Sequence, residues 1–161
     1  MRRQRLRHSS LVVATAADMR RVGRALGTLL REGDVVGLLG PLGSGKTTLA
    51  QGIAAGLRVP ADRHVASPTF ALVNEHPGRV PFVHADLYRV ASAAELRELG
   101  LDDAFPRAAC VIEWLDRYAE VAPADRLEVA IAFADAGARH LELRGTGKRG
   151  RALAAALLLK S

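Results

Sequence analysis

The chain predicts an α/β fold, a three-layer sandwich around a mostly parallel central sheet with an antiparallel extension toward the C-terminus. Three observations predict it. The apolar run Val35-Val36-Gly37-Leu38-Leu39 passes through a glycine-rich loop, Gly40 to Gly45, into helix formers from Lys46 to Leu57; that is the strand, loop, helix order of a parallel sheet. A second apolar run, Ala109-Cys110-Val111-Ile112, closes on Glu113 as a central parallel strand does. Further on, Leu127, Val129, Ile131 and Phe133 alternate with Glu128, Ala130 and Ala132, and Leu141 to Arg144 follows the turn Asp135-Ala136-Gly137, which reads as an antiparallel pair.

Residues 1–10 read as a basic flexible tail and 11–161 as one domain, long enough to bury roughly two-thirds of its unfolded surface. Met19, Val22, Leu26, Leu29 and Leu30 recur at helical spacing, and Thr15 with Asp18 three residues later resembles an N-terminal cap, giving a first helix near 15–31. The first strand spans Asp34 to Leu39, and the helix after the loop spans Lys46 to Leu57. Phe70-Ala71-Leu72-Val73 and Val80-Pro81-Phe82-Val83 form a hairpin candidate around the turn-rich Asn74 to Gly78. Ala93 to Leu99 reads as a helix stopped by Gly100, and Ala152 to Leu159 as a final apolar-rich helix.

Of 23 basic residues, four lie at Arg2, Arg3, Arg5 and Arg7 and four at Lys148, Arg149, Arg151 and Lys160, which leaves 15 against 17 acids in the body. The net charge of +6 is therefore carried by the ends. They suit either attraction to RNA or an acidic surface, or plain solvation. The single cysteine, Cys110, excludes an intrachain disulfide and a multi-cysteine metal site, and its apolar neighbours make it core. No segment approaches the roughly 18 apolar residues of a membrane span. Leu11 to Ala14, broken by Thr15 and Asp18, is too short for the core of a secretory leader, so the expected location is cytoplasmic. The five histidines, at 8, 64, 76, 84 and 140, show no metal-ligand spacing.

Gly40-Pro41-Leu42-Gly43-Ser44-Gly45-Lys46-Thr47 is a complete G-x-x-x-x-G-K-[ST] phosphate-binding loop, which makes the sandwich one of the P-loop NTPase type. Its glycines let backbone N–H groups converge on phosphate oxygens, Lys46 adds a mobile positive charge, and Thr47 offers a hydroxyl to Mg²⁺. Mg²⁺ also wants a carboxylate at a neighbouring strand end, and Glu113 is placed for it, the alternative being a strand-end glutamate that merely faces solvent. Asp86, after the run Val80 to Ala85, is the competing carboxylate, for the metal's water shell or for the attacking water. Ser67-Pro68-Thr69-Phe70 reads either as a switch that senses the outer phosphate or as a strand-leading turn. Arg89 suits transferred phosphate or a surface ion pair, and Trp114 suits a cover over the site, a partner contact or ordinary packing.

Taken together, Leu42 to Thr48, Ser67-Pro68-Thr69-Phe70, His84-Ala85-Asp86-Leu87-Tyr88-Arg89 and Ile112-Glu113-Trp114 resemble, in order, the motifs of the bacterial TsaE (YjeE) family, from about Leu11 to Leu159. The resemblance implies a small ATPase required for threonylcarbamoylation of adenosine 37 in tRNAs reading codons that begin with A. It implies the partner proteins TsaB and TsaD, with tRNA reached through their complex and no membrane. Carried over by position, Gly40 to Thr48 would hold ATP, Thr47 and Glu113 would serve Mg²⁺, Lys46 and Asp86 would act in hydrolysis, and Arg139 would touch the nucleotide. Three positions depart from the family: Pro41 stands where aspartate is usual, His76 where tyrosine is common, and Met19 where threonine is frequent. A small-molecule P-loop kinase is the alternative, with Lys148-Arg149-Gly150-Arg151 as its one hint of a lid. A GTPase is disfavoured because Asn74 is the only asparagine, which leaves no Asn-Lys-x-Asp guanine reader, and a bare RNA-binding module rests on the basic ends alone.

Overall fold

The computed structural model describes residues 9–68 and 72–161. Its strands are β1 (Ser9–Val13), β2 (Val35–Leu39), β3 (Val73–His76), β4 (Phe82–Asp86), β5 (Ala109–Glu113), β6 (Leu127–Phe133) and β7 (Arg139–Gly145). Its α-helices are α1 (Ala16–Leu29), α2 (Lys46–Gly56), α3 (Ala93–Glu98), α4 (Leu101–Ala104) and α5 (Lys148–Lys160). The strands form one seven-stranded sheet in the order β1-β7-β6-β2-β5-β4-β3. The four central strands, β6, β2, β5 and β4, run parallel, and antiparallel pairs flank them on both sides. The sheet is thus α/β as expected, but the antiparallel part is not confined to a C-terminal extension.

Alternation along the central strands divides the interior between two faces. Val36, Leu38, Phe82 and Val111 pack with Leu26, Leu49, Ile53 and Leu157 under α1, α2 and α5. Val35, Val83, Cys110 and Ile112 pack with Leu96, Leu101 and Leu115 under α3, α4 and a 3₁₀ segment, Leu115–Val121. Every residue of β5 is buried, which explains its unbroken apolar run. Cys110 lies in this core, and burial pushes its thiol up to about 12.

Most elements sit where local pattern places them. The Thr15 hydroxyl accepts the Asp18 N–H at 3.1 Å and caps α1. Four features differ. Asn74, Glu75 and His76 are strand, paired with His84, Val83 and Phe82, so the hairpin turns later, over 77–81. Asn74 has turn chemistry, but a short local preference gives way to ladder hydrogen bonds and the Glu75–Arg107 ion pair at 2.7 Å. Phe70 and Ala71 of that candidate strand lie outside the described residues. Ser9 and Ser10, read as tail, are strand because β7 offers its edge to β1. α4 and the 3₁₀ segment carried no periodicity long enough to read, and α5 begins at Lys148.

α1 lies on α2 through two matched glycine pairs, Gly23 and Gly27 against Gly52 and Gly56. Spacing of four residues puts each pair on one stripe, and the absent side chains let the two backbones meet. This contact seats the start of α1 beside the phosphate-binding loop.

Candidate functional site

The loop joins the carboxyl end of β2 to the amino end of α2. Gly40, Gly43 and Gly45 have φ of 145°, 75° and 111°, conformations that non-glycine residues rarely adopt, and a Cβ on Gly40 would stand 2.5 Å from the Ile131 carbonyl oxygen. The loop therefore curls with its amides and the N-terminus of α2 facing one concavity, an arrangement suited to anions. Lys46 Nζ donates to the carbonyls of Gly40 and Pro41 at 2.7 and 2.8 Å and lies 4.2 Å from the centroid of the Trp114 ring. Burial pushes its ammonium below the ordinary value, opposed by the charges of Glu113, Asp86 and Asp116.

Parallel pairing brings the carboxylates to the same edge. Asp86 and Glu113 are register partners at the carboxyl ends of β4 and β5, and Glu113 is also level with Leu38 of β2. Brought together here, Glu113 Oε1 accepts the Thr47 hydroxyl at 3.1 Å. That spacing is close to the oxygen–oxygen edge, about 3.0 Å, of an octahedral shell with ligands at about 2.1 Å, so both oxygens fit neighbouring positions around Mg²⁺. The other oxygen, Oε2, meets His84 Nε2 at 2.6 Å. Asp86 Oδ2 accepts the Ser67 hydroxyl at 2.6 Å and its Oδ1 accepts the Tyr88 N–H at 2.9 Å. Asp86 is half-buried whereas Glu113 is only 2 % exposed.

Trp114 turns the chain out of β5 in a left-handed conformation, φ 61° and ψ 33°, and its ring meets Tyr88 at 4.9 Å. A non-glycine residue held there signals a constrained corner. On the other flank, Arg139 at the start of β7 donates to Ser44 O at 3.1 Å and to Gly137 O at 2.7 Å, and its guanidinium lies 4.7 Å from the Phe133 ring. It braces the loop. Between loop and α1 opens a cavity of about 170 Å³ lined by Thr15, Met19, Gly45, Thr48 and Arg139. Met19 is a wall of that cavity.

The structure thus gathers Lys46, Thr47, Asp86, Glu113 and Trp114, with Ser67 of the segment read as switch or turn; Thr69 and Phe70 lie outside the described residues. Arg89 is exposed. Arg149 is tied to Asp34 at 2.8 Å and to the Leu29 carbonyl at 2.8 Å, at the amino end of β2 and opposite the loop, so the basic segment that hinted at a kinase lid covers nothing at the site. Sequence reasoning gave no role to His84 or Arg117, whose guanidinium donates to the Tyr88 carbonyl. For His84 the signal was available, since a residue two before Asp86 on one strand shares its face.

Comparison with known proteins identifies relatives of the chain. Residues 13–141 match the family model described as "Threonylcarbamoyl adenosine biosynthesis protein TsaE". A Streptomyces coelicolor protein named tRNA threonylcarbamoyladenosine biosynthesis protein TsaE is 40 % identical over 139 residues, covering 81 % of this chain and 93 % of that protein. Proteins of the same name from Treponema pallidum and Bacillus subtilis are 35 % and 34 % identical, over 81 % and 82 % of this chain and 96 % and 82 % of theirs. The crystal structure of Bacillus subtilis YdiB superposes with a TM-score of 0.78 at 29 % identity, covering 92 % of each chain.

Proposed function

The chain belongs to the TsaE family of tRNA threonylcarbamoyladenosine biosynthesis, and from that premise we propose that it is a Mg²⁺-dependent ATPase acting on a TsaB–TsaD complex in the cytoplasm. The observation that carries the ATPase reading is the convergence of Lys46, Thr47, Asp86 and Glu113, from three separate segments, on one edge of the parallel sheet. Among the described residues no helix is long and apolar enough to cross a membrane.

In this reading the amides of Gly43 to Thr48 hold the β- and γ-phosphates, and Lys46 exchanges its loop carbonyls for phosphate oxygens. Thr47 Oγ1 and Glu113 Oε1 would hold Mg²⁺, which would neutralise charge on those phosphates. Asp86, at the open side of the pair, orients a water whose oxygen attacks the γ-phosphorus. The bond from that phosphorus to the β–γ bridging oxygen breaks, ADP leaves with the electron pair, and the water's proton passes to the Asp86 carboxylate or the departing phosphate. Ser67, bonded to Asp86, feels the loss of the outer phosphate through that carboxylate, so that hydrolysis changes the edge of the site offered to the partner complex. The cavity beside Met19 takes the base and ribose.

The test is hydrolysis by the purified protein, alone and with TsaB, TsaD and substrate tRNA, for wild type, Lys46→Ala and Glu113→Ala. Slow hydrolysis that rises with the partners, and is needed for more than one round of adenosine modification, is the expected result. Phosphorylation of a metabolite without partners would overturn the reading.

A further inference from the structure

Two buried imidazoles flank Phe82 on the face of the sheet that carries Asp86 and Glu113. The rings of His76, Phe82 and His84 form a column, with centroids 5.8 and 6.0 Å apart and interplanar angles of 25° and 17°. Both nitrogens of His76 and Nδ1 of His84 are buried and lack a hydrogen-bond partner. Such atoms cost folding free energy that a leucine or methionine in the same space would not. Fold stability alone therefore gives no reason for a histidine at position 84. Its one polar contact supplies the reason: Nε2 lies 2.6 Å from Glu113 Oε2, with both side chains almost wholly inaccessible.

We propose that His84 is a positioning residue that donates from Nε2 to Glu113 Oε2 and thereby fixes Oε1 toward Thr47, setting how tightly the site takes a divalent cation with its nucleotide. This rests on the proposed metal role of Thr47 and Glu113. With Nδ1 buried and facing no acceptor, the ring's proton belongs on Nε2, where an acceptor stands. Held by Nε2–H, the carboxylate plane is fixed about its last torsion, which keeps one oxygen, Oε1, 3.1 Å from Thr47 Oγ1. The imidazole is held in turn. β4 is locked in register with β5, His84 opposite Val111, and the Phe82 ring supports it from one side. A chain of fixed groups thus runs from the ring column to the cation site, the arrangement by which an outer partner orients a ligand.

The experiment measures the affinity of the intact protein for a fluorescent ATP analogue as Mg²⁺ is raised, in wild type, His84→Phe, His84→Gln and Glu113→Gln. Phenylalanine keeps a flat ring and removes the donor, whereas glutamine returns an N–H near the position of Nε2. His84→Phe should raise the Mg²⁺ midpoint by about 10- to 100-fold, leave metal-free nucleotide affinity unchanged, and recover its kcat at saturating Mg²⁺. His84→Gln should stay near wild type. Two-bond ¹H–¹⁵N spectra of the wild-type protein should show Nε2 protonated and Nδ1 bare, a readout that stands even if His84→Phe does not fold. A His84→Phe midpoint within threefold of wild type, or a bare Nε2, overturns the proposal while a lost Mg²⁺ response in Glu113→Gln keeps the metal reading. A wild type whose affinity ignores Mg²⁺ overturns that reading and this one with it.

Discussion

Replacing Gly27 by alanine puts a methyl group where the backbone of α2 already stands. A Cβ there would lie 2.2 Å from the Ile53 carbonyl oxygen, 2.8 Å from Gly56 Cα and 3.0 Å from Gly56 C. All three are backbone atoms, so no rotamer change relieves the contact and the helices must part by about 1 Å. Alanine's better helix propensity returns at most about 1 kcal/mol. Against it stand an overpacking cost of about 1–3 kcal/mol and weaker dispersion along the seam, where a gap of about 1 Å forfeits up to half of each contact's attraction. The seam includes Leu26, Leu30, Ile53 and Leu57, all fully buried, so the upper part of that range applies. We expect a net loss of about 1–2 kcal/mol, read as a lower denaturation midpoint in urea at unchanged slope and a Tm lower by several degrees. Because α1 also walls the cavity beside the loop, nucleotide affinity should fall in the same variant. A Gly27→Ala protein as stable as wild type would refute the view that bare backbone contact holds α1 to α2.

Other outcomes are equally open to measurement. Asp125 accepts the N–H groups of Arg149 and Gly150 at the start of α5, and these bonds hold its carboxyl below the ordinary 3.8. A depressed folded pKa stabilises above the unfolded value and is lost as pH falls through the folded one, so Asp125→Asn should lower the denaturation midpoint at pH 7 and the gap to wild type should shrink as pH falls below the ordinary carboxylate range; a gap that stays constant as pH falls would refute this. The Cys110 thiol, pushed up to about 12 and buried, should react with a disulfide reagent at pH 8 only after unfolding; prompt reaction of the native protein would contradict its place in the core. Trp114, the only tryptophan, lies against Lys46, so its fluorescence should change when a triphosphate draws the ammonium away, and should not in Lys46→Ala.

Local chemistry made much of this protein legible. Gly40 to Thr47 needs no distant partner to be a phosphate loop, because its glycines and the helix start at Lys46 act through their own backbone. Thr15 and Asp18 cap α1 across three residues, and Ala109 to Glu113 reads as a central strand because burial on both faces demands an unbroken apolar run. Four ordered motifs were enough to point to the family. Contacts distant in sequence decided the rest. Asn74 looked like a turn until β4 supplied a ladder for it, and Ser9 looked like tail until β7, some 130 residues on, offered its edge. The glycines of α1 and α2 gave no signal singly, since a stripe has meaning only against another stripe.

The same division holds at the site. Sequence by itself singled out Lys46, Thr47, Asp86 and Glu113 as candidates, because the first two stand in a complete phosphate-loop motif and the two acids close apolar strand patterns. Tertiary structure alone decided how they meet. The register that sets Asp86 beside Glu113, the 3.1 Å from Thr47 to that carboxylate and the imidazole behind it arise from strand pairing between segments joined by loops and helices. A chain read in one dimension names its reactive groups, but hydrogen bonds and packing between distant segments fix their separations.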